Sequence, residues 1–345
     1  MPESSTKFRF PWHAVLIAAL TIGLLWGFIR GANLKEVWFH IKSADPVWIA
    51  AAVVMTMFGF FVRAWRWQAL LWPLGAVRFR NSFRTTVMGF TATNLLPGRL
   101  GEVLRPYLLA RAESLPFSSA LATIVIERVF LDLASILLLF GVFLMMTTVV
   151  VDDSLKVIGA LGGLYSVGAL AVLILCAGHP ERLGRWAGRL AALLPGRAAE
   201  AVTGFVRTLA EGLAVMRRPA PFIASFALSV LLWLSISFGI WFTAKAFSLT
   251  ITPVDSFLIA GYLAVGVSIP TPGGLGGFDW AFKKAATDVF NVDQNQAAAA
   301  AMVLHAVAFI PVTLPGLFFM WQDRLTVRSM KRVKASVKAH QGDEQ

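Results

Sequence analysis

A charged stretch, Asn94 to Arg111, interrupts an otherwise strongly apolar part of the sequence. Arg99, Glu102 and Arg105 recur there at a spacing of three, so that in a helix Glu102 can meet an arginine on either neighbouring turn. Guanidinium groups bind phosphate and carboxylate groups through paired hydrogen bonds. The stretch therefore predicts a site at which the arginines attract an anionic phosphate and Glu102 holds them in place or meets a cationic headgroup.

A second group of charges lies inside a long apolar segment, IVIERVFLDLAS. Arg128 and Asp132 are four apart and can neutralise one another, which leaves Glu127 in need of a partner. We predict that Arg99 or Arg105 supplies that partner. Ionisable groups in a membrane-spanning helix are costly and usually face an interior pathway. The alternative is that these residues lie near the cytoplasmic interface and hold helices together.

Two related motifs, PGRLG and PGGLG, predict breaks in the helices. Proline lacks a backbone N–H and glycine adopts backbone angles closed to other residues, so each motif is expected to end a helix inside the membrane. Non-helical backbone at that depth is tolerated where it is buried in protein or lines a wet cavity. The predicted site includes Asn94 and the motif residues Pro97, Gly98, Arg99, Gly101, Pro272, Gly273, Gly274 and Gly276.

His305 lies deep in the apolar segment that follows the second motif. Alignment of the two halves of the chain sets it opposite Glu127. A histidine on an apolar helix is usually a hydrogen-bonded packing residue, but its charge changes near neutral pH, so His305 could also carry a proton. Asp279 and Lys283 are four apart and are expected to pair.

The elements that must position these residues are membrane helices. Of 345 residues 57% are hydrophobic and only 14% are charged, so the chain has too little polar surface for a soluble globule. We expect an all-α polytopic membrane protein with about six full transmembrane helices and two re-entrant Gly/Pro-broken segments, arranged as inverted repeats. The six predicted spans are Trp12–Ile29, Val47–Phe61, Leu133–Val151, Val157–Ala177, Phe222–Ala244 and Ala297–Trp321.

The chain is predicted to form one integral membrane domain over 1–345, with a first half at 12–151, a second half at 157–322 and a basic cytoplasmic tail at 323–345. Most lysines and arginines fall in alternate loops, which predicts that both termini are cytoplasmic. The N-terminal span is expected to be an uncleaved signal anchor. Five further residues are interpreted as an interfacial belt at a helix end: Arg63, Trp65, Arg66, Trp67 and Trp72.

Several kinds of partner are excluded by the composition. The net charge of +12 is interleaved with apolar spans, so it indicates anionic lipid headgroups and not nucleic acid. The single cysteine, Cys176, allows neither an internal disulfide nor a multi-cysteine metal site. The sequence contains no GxxxxGK[ST] motif for ATP. We therefore expect no metal, no cofactor and no catalytic residues.

The ordered motifs resemble the membrane domain of lysylphosphatidylglycerol synthases. The resemblance rests on N-x-x-P-G-R-x-G-E-x-x-R from Asn94 to Arg105, on E-R-x-x-x-D from Glu127 to Asp132, and on Pro272 to Gly276. It implies a flippase of the cytoplasmic (inner) membrane that moves an anionic or aminoacylated phospholipid, with a separate lipid-synthesising enzyme as a partner. An aminoacyltransferase domain is not expected, because only the short tail follows Trp321.

Two alternatives stay open. A membrane-embedded enzyme acting on a lipid-linked substrate could use the adjacent acids Asp152 and Asp153. An accessory subunit could recruit a lipid-synthesising enzyme through an arginine-rich cytoplasmic segment, in which Arg182, Arg185 and Arg189 recur at helical spacing beside Trp186.

Overall fold

The computed structural model describes residues 12–96, 99–147, 157, 159–168, 171, 196 and 219–325. Within these ranges the regular structure is helical and contains no strand. The predicted all-α polytopic membrane class is confirmed. Several features named in the sequence analysis lie outside the described residues: Cys176, the acids Asp152 and Asp153, the arginine-rich segment with Arg182, Arg185, Trp186 and Arg189, and the tail from residue 326 onward.

Eleven helices are numbered here along the described part of the chain. The first half contains α1 (Trp12–Ile29), α2 (Leu34–Ser43), α3 (Pro46–Leu71), α4 (Phe79–Leu95), α5 (Gly101–Glu113), α6 (Phe117–Ile126) and α7 (Leu133–Met146). The second half contains α8 (Pro219–Ala246), α9 (Asp255–Ser268), α10 (Gly277–Asp288) and α11 (Gln294–Gln322). Residues 159–168 are helical as well.

The helix starts follow from capping residues. Asp45 accepts a hydrogen bond from the backbone N–H of Val47, and Pro46 occupies the first turn of α3, where a missing N–H costs nothing. Asp293 caps α11 in the same way, by accepting from the N–H groups of Asn295 and Gln296. Two of the three longest described helices thus begin at fixed points, which sets the depth of the polar residues that they carry.

Four of the described helical segments are long and apolar enough to cross a membrane: Pro46–Leu74, Phe117–Met146, Ile223–Ala246 and Gln294–Gln322. Each contains or largely overlaps one of the predicted spans. The predicted span at Trp12–Ile29 is one arm of a bent pair with α2, whose axes meet at 77°. Counting that pair gives up to five spans, and the predicted span Val157–Ala177 lies only partly within the described residues.

Both predicted breaks end helices. The backbone leaves the helix between the end of α4 at Leu95 and the start of α5 at Gly101, although Pro97 and Gly98 themselves lie outside the described residues. At the second break, α9 ends at Ser268, residues Pro272–Gly274 form a single 3₁₀ turn, and α10 begins at Gly277.

The two broken segments fold into matching helical hairpins. A Cβ atom added at Gly101 of α5 would lie 1.8 Å from the carbonyl oxygen of Gly89 on α4. In the second half, a Cβ atom added at Gly277 of α10 would lie 2.5 Å from the carbonyl oxygen of Gly266 on α9. Each hairpin is therefore closed by a glycine pair that lets the two backbones touch. This local match supports the internal repeat, whose inverted orientation in a bilayer stays a prediction.

The two halves of the chain pack against each other through several pairs of helices. Helix α3 packs along α8, α4 packs against α11, and α7 packs against α9, so each half covers the other's helices. Where α4 crosses α11, Gly316 leaves room for Thr91, whose hydroxyl donates to the carbonyl oxygen of Val312. The residues next to the first break thus pack against helices of both halves.

Candidate functional site

A buried cluster of charges lies where α3, α5 and the α6–α7 helix meet. Its members, called the central charged cluster below, are Arg66, Arg105, Glu127 and Asp132, each at most 4% exposed. Arg66 Nη2 lies 2.8 Å from Glu127 Oε1, and Arg66 Nη1 lies 2.5 Å from Asp132 Oδ1. One arginine therefore bridges both buried carboxylates.

A π-helical turn brings the two carboxylates together. Residues Glu127–Asp132 form this turn between α6 and α7. In an α-helix, side chains five residues apart point about 140° away from each other. A turn closed by i→i+5 hydrogen bonds instead places such residues nearly one above the other. Glu127 and Asp132 can consequently face the same guanidinium group of Arg66.

Arg105 ties the helix after the first break to this cluster. Its Nη1 lies 2.9 Å from Glu127 Oε1, and its Nε donates to Thr86 Oγ1 at 3.1 Å. The guanidinium carbon lies 4.0 Å from the centre of the Trp67 ring, a cation–π contact. The sequence-based prediction that Arg99 or Arg105 pairs with Glu127 is confirmed for Arg105.

Polar groups of α8 complete the buried shell. Ser229 Oγ lies 2.8 Å from Arg66 Nη1, and Trp233 Nε1 donates to Asp132 Oδ1 at 3.2 Å. Since α8 belongs to the second half of the chain, the cluster joins the two halves. Ser229 and Trp233 could not be assigned to the site from the sequence, because serine and tryptophan are ordinary residues in an apolar helix.

Three half-exposed charges, called the rim below, lie beside this cluster: Arg99, Glu102 and Arg128. Glu102 Oε1 lies 3.4 Å from Arg99 Nη1 and 3.7 Å from Arg128 Nη2, while Arg128 Nη1 lies 3.8 Å from Asp132 Oδ2. The predicted Arg128–Asp132 pair is therefore present but long, and Asp132 has the closer partner Arg66. Loose ion pairs at an exposed rim can exchange their partners for a ligand.

The interfacial-belt interpretation is wrong for three of its five residues. Arg63, Arg66 and Trp67 are buried, whereas Trp65 and Trp72 are more than half exposed, as a belt requires. Arginine beside tryptophan at a helix end is typical of a membrane interface, so the local pattern was misleading. The sequence signal available for these two arginines was their spacing of three, because it places both on one helical face.

The two breaks meet in space. Gly273 adopts a φ of +59°, and its Cα lies so close to the first break that an added Cβ would be 3.1 Å from the carbonyl oxygen of Asn94. The Asn94 side chain donates to Thr313 Oγ1 at 3.1 Å. Arg99, itself at a positive φ of 52°, donates to the carbonyl oxygen of Val267 at 2.6 Å. Residues at the first break thus form direct hydrogen bonds with the second half of the chain.

His305 forms a second polar pair, which lies within the second half and joins α11 to α10. Its Nδ1 lies 2.9 Å from Asp279 Oδ1, and Asp279 Oδ2 accepts from the backbone N–H of Gly276 at 3.0 Å. The expected Asp279–Lys283 pair is wrong, because Lys283 Nζ donates to the carbonyl oxygen of Phe28 at 2.8 Å. In both halves, then, a polar side-chain pair joins the helix after the break to the long closing helix.

A cavity of about 620 Å³ opens beside the His305–Asp279 pair. Its walls are mostly apolar and come from α1, α2, the end of α4, the second break, α10 and α11. The polar residues among them are Asn94, Asp279, His305 and Thr313. Ligand pockets in proteins have volumes of about 300–1,000 Å³ and combine apolar walls with a few polar groups. The cavity fits that description, and Gly273 lines it at the point where the breaks meet.

No cluster of three or more histidine, cysteine, aspartate or glutamate side chains suited to a metal ion occurs among the described residues. The acids of the enzyme alternative, Asp152 and Asp153, are not among them. Of the sequence-predicted site residues, the structure unites Arg105, Glu127 and Asp132 in the buried cluster, and Arg99, Glu102 and Arg128 at its rim. His305 lies apart, at the cavity.

Residues 12–316 match the family model described as the lysylphosphatidylglycerol synthase TM region. The chain is also similar to Glycosyltransferase AglD of Haloferax volcanii, with 31% identity over 161 residues, which is 45% of this chain and 25% of that protein. A UPF0104 membrane protein of Methanocaldococcus jannaschii is 32% identical over 104 residues, 29% of this chain and 30% of that protein. The matches thus cover less than a third of either relative.

Proposed function

Because the chain belongs to the family of lysylphosphatidylglycerol synthase transmembrane regions, we propose that it translocates a lipid with a polar headgroup across the membrane. The substrate is a phospholipid or another lipid-linked headgroup. The membrane is the cytoplasmic membrane, with both termini on its cytoplasmic side. Anionic or aminoacylated phospholipids suit the chemistry of the rim best, because it offers both guanidinium groups and a carboxylate.

One observation carries this proposal: a buried charged cluster adjoins a helix break, and that break touches its counterpart in the other half. Buried charges between membrane helices usually mark a pathway for a polar group. Broken helices in matching positions of two repeats are typical of transporters whose site lies where the repeats meet. The Asn94–Gly273 approach gives that meeting point a concrete location in this chain.

In the proposed cycle the headgroup enters at the rim. Arg99 and Arg128 attract its phosphate while Glu102 meets any cationic group. The backbone leaves the helix at both breaks, through motif residues that include Gly101, Pro272, Gly274 and Gly276. One half can therefore rock against the other around Asn94 and Gly273. The apolar cavity at His305 accommodates a hydrocarbon chain during the passage.

Reconstituted vesicles test this proposal. The purified chain is placed in liposomes that contain fluorescent lipids with anionic, zwitterionic or lysylated headgroups. A membrane-impermeant reductant then bleaches the lipids in the outer leaflet. We expect inner-leaflet fluorescence to be lost faster than in protein-free vesicles, for at least one headgroup. Rates equal to the protein-free rate for every headgroup would contradict translocation of these lipids.

A second candidate function is an enzyme that acts on a lipid-linked substrate. It is favoured by the similarity to a protein named as a glycosyltransferase. Mass spectrometry of the vesicle lipids after incubation with nucleotide sugars distinguishes the two functions. A new glycosylated lipid that appears only with the purified chain would support the enzyme, whereas unchanged lipid masses alongside flipping would support the transporter.

A further inference from the structure

Arg63 is a buried arginine without a carboxylate partner. It lies on α3 one turn before Arg66 and is 9% exposed. Among the described residues, no carboxylate oxygen lies within 4 Å of its guanidinium nitrogens, since the nearby acids Glu127 and Asp132 pair with Arg66, Arg105 and Arg128. The Arg63 Nε atom is enclosed and has no hydrogen-bond partner. Its ring contacts are to Phe90 at 4.5 Å and to Phe60 at 5.8 Å from the guanidinium carbon.

The surroundings of Arg63 carry surplus positive charge. Three buried arginines, Arg63, Arg66 and Arg105, face two buried carboxylates, Glu127 and Asp132. At the rim, two arginines share the single carboxylate of Glu102. The described cluster and rim together thus contain two more cations than anions.

Arg128 reaches the same aromatic ring as Arg63. Its guanidinium carbon lies 5.7 Å from the centre of Phe90, and its ion pairs of 3.7 and 3.8 Å are too long for hydrogen bonds. The side chain is 40% exposed. Phe90 is therefore flanked by one enclosed arginine with an unused donor and by one accessible arginine that is only weakly paired.

Taking a charge out of water is unfavourable, and a counter-ion offsets that cost. Among the described residues no acid is in contact with Arg63, so the counter-ion must come from outside this part of the chain. In a membrane the most abundant anion at hand is the phosphodiester of a lipid, whose geometry matches the paired donors of a guanidinium group. We infer that Arg63 and Arg128 together bind a phosphate group beside Phe90, and that a membrane phospholipid supplies it.

The position of this phosphate site along a lipid path rests on the proposed function. Binding itself does not depend on movement of the lipid and can be measured without it. Because the same chemistry would bind a free phosphate, the measurement must separate the lipid from the ion. Short-chain phosphatidylglycerol, diacylglycerol with the same chains, and inorganic phosphate provide the three arms.

The experiment measures the binding and melting temperature of the delipidated full chain in a non-ionic detergent. For the wild type we expect short-chain phosphatidylglycerol to bind and to raise the melting temperature, while diacylglycerol does neither. Arg63→Met and Arg128→Met should each weaken phosphatidylglycerol binding by at least about tenfold, the equivalent of one charge-assisted hydrogen bond. Lys284→Met is the matched control, because it removes an exposed positive charge paired with Asp288 elsewhere and should leave binding unchanged.

The stability of Arg63→Met distinguishes phosphate binding from a purely structural role of Arg63. A structural role predicts that the substitution lowers the melting temperature, whereas a binding role predicts the reverse. Without ligand, Arg63→Met should melt at or above the wild-type temperature, because it removes an unpaired buried charge. Arg66→Met should melt lower, because it strands the carboxylates of Glu127 and Asp132. A failure of Arg63→Met to fold counts as a low melting temperature and indicates a structural role, while Arg128→Met still tests phosphate binding on its own.

Any of three results would overturn the inference. The first is equal binding of phosphatidylglycerol by wild type, Arg63→Met and Arg128→Met, and the second is equal binding of diacylglycerol and phosphatidylglycerol by the wild type. The third is an unliganded melting temperature of Arg63→Met as low as that of Arg66→Met. Inorganic phosphate binding without lipid binding would overturn the assignment to a lipid. Intact lipid binding in a protein that does not flip lipids would instead contradict the proposed function and leave the phosphate site in place.

Discussion

At the scale of single residues, Glu127 holds the site together. Arg66 and Arg105 both contact its Oε1 atom, at 2.8 and 2.9 Å, while its Oε2 atom is buried without a partner. One carboxylate thus neutralises arginines on α3 and on α5, the helix that follows the first break. Because these groups are removed from water, the balance of charge in the cluster matters far more than at the protein surface.

Glu127→Gln should lower the free energy of unfolding by about 3–5 kcal/mol, the usual cost of breaking a buried ion pair on one side. The substitution preserves the shape of the side chain but leaves Arg66 and Arg105 with Asp132 as the remaining carboxylate of the central charged cluster. Denaturant-induced unfolding in detergent micelles, followed by tryptophan fluorescence, measures the change.

Asp323→Asn is the control for this measurement. Asp323 forms an ion pair of 2.9 Å with Arg84, but its side chain is 42% exposed. Removing that charge should cost less than about 1 kcal/mol, as is usual for exposed pairs. Equal losses of unfolding free energy in Glu127→Gln and Asp323→Asn would mean that the buried ion pairs stabilise the protein no more than an exposed pair does.

The sequence was sufficient to pair Glu127 with Arg105 but not to find Arg66. An unpaired acid in an apolar helix requires a base, and the charged stretch after the first break was the obvious source. Arg66 lies 61 positions earlier than Glu127 on a helix whose end resembles a membrane interface. Its burial results from the packing of α3 along α8, and such a contact between distant helices leaves no trace in local spacing.

At the scale of elements, the two hairpins depend on glycine. Gly101→Ala would place a methyl group 1.8 Å from the Gly89 carbonyl oxygen, and Gly277→Ala would place one 2.5 Å from that of Gly266. Both substitutions force backbones apart, so each should destabilise the protein by about 1–3 kcal/mol or more. Thermal unfolding of the purified variants provides the measurement.

Gly141→Ala separates this effect from a general intolerance of alanine. Gly141 lies within α7, and no atom comes within 4 Å of an added Cβ. Alanine favours the helix, so Gly141→Ala should be neutral or stabilising by up to about 1 kcal/mol. Unchanged stability of both Gly101→Ala and Gly277→Ala would contradict the close approach of the hairpin helices.

Element positions were largely predictable, because apolar length and Gly/Pro motifs act locally. The breaks at Leu95 to Gly101 and at Ser268 to Gly277 follow from PGRLG and PGGLG. The π-helical turn at Glu127–Asp132 was not predictable, since no proline or glycine marks it. Its counterpart is found in the site, where one guanidinium group contacts two carboxylates that an ordinary α-helix would turn apart.

At the scale of the whole molecule, the proposed lipid translocation requires the halves to move relative to each other. The Asn94–Thr313 hydrogen bond of 3.1 Å joins the end of α4 to α11, next to the approach of Asn94 and Gly273. A covalent link at this point should hold the two breaks together. Since lipid passage is proposed to require rocking of one half against the other, such a link should stop it.

The most direct test is therefore lipid flipping by the double variant Asn94→Cys and Thr313→Cys, in a background where Cys176 is replaced by serine. In vesicles the reduced protein should flip the headgroup that the wild type flips. Oxidation should lower the rate to that of protein-free vesicles, and reduction should restore it, while either single-cysteine variant should be insensitive to both treatments. Flipping that continues unchanged in the fully cross-linked protein would contradict the account.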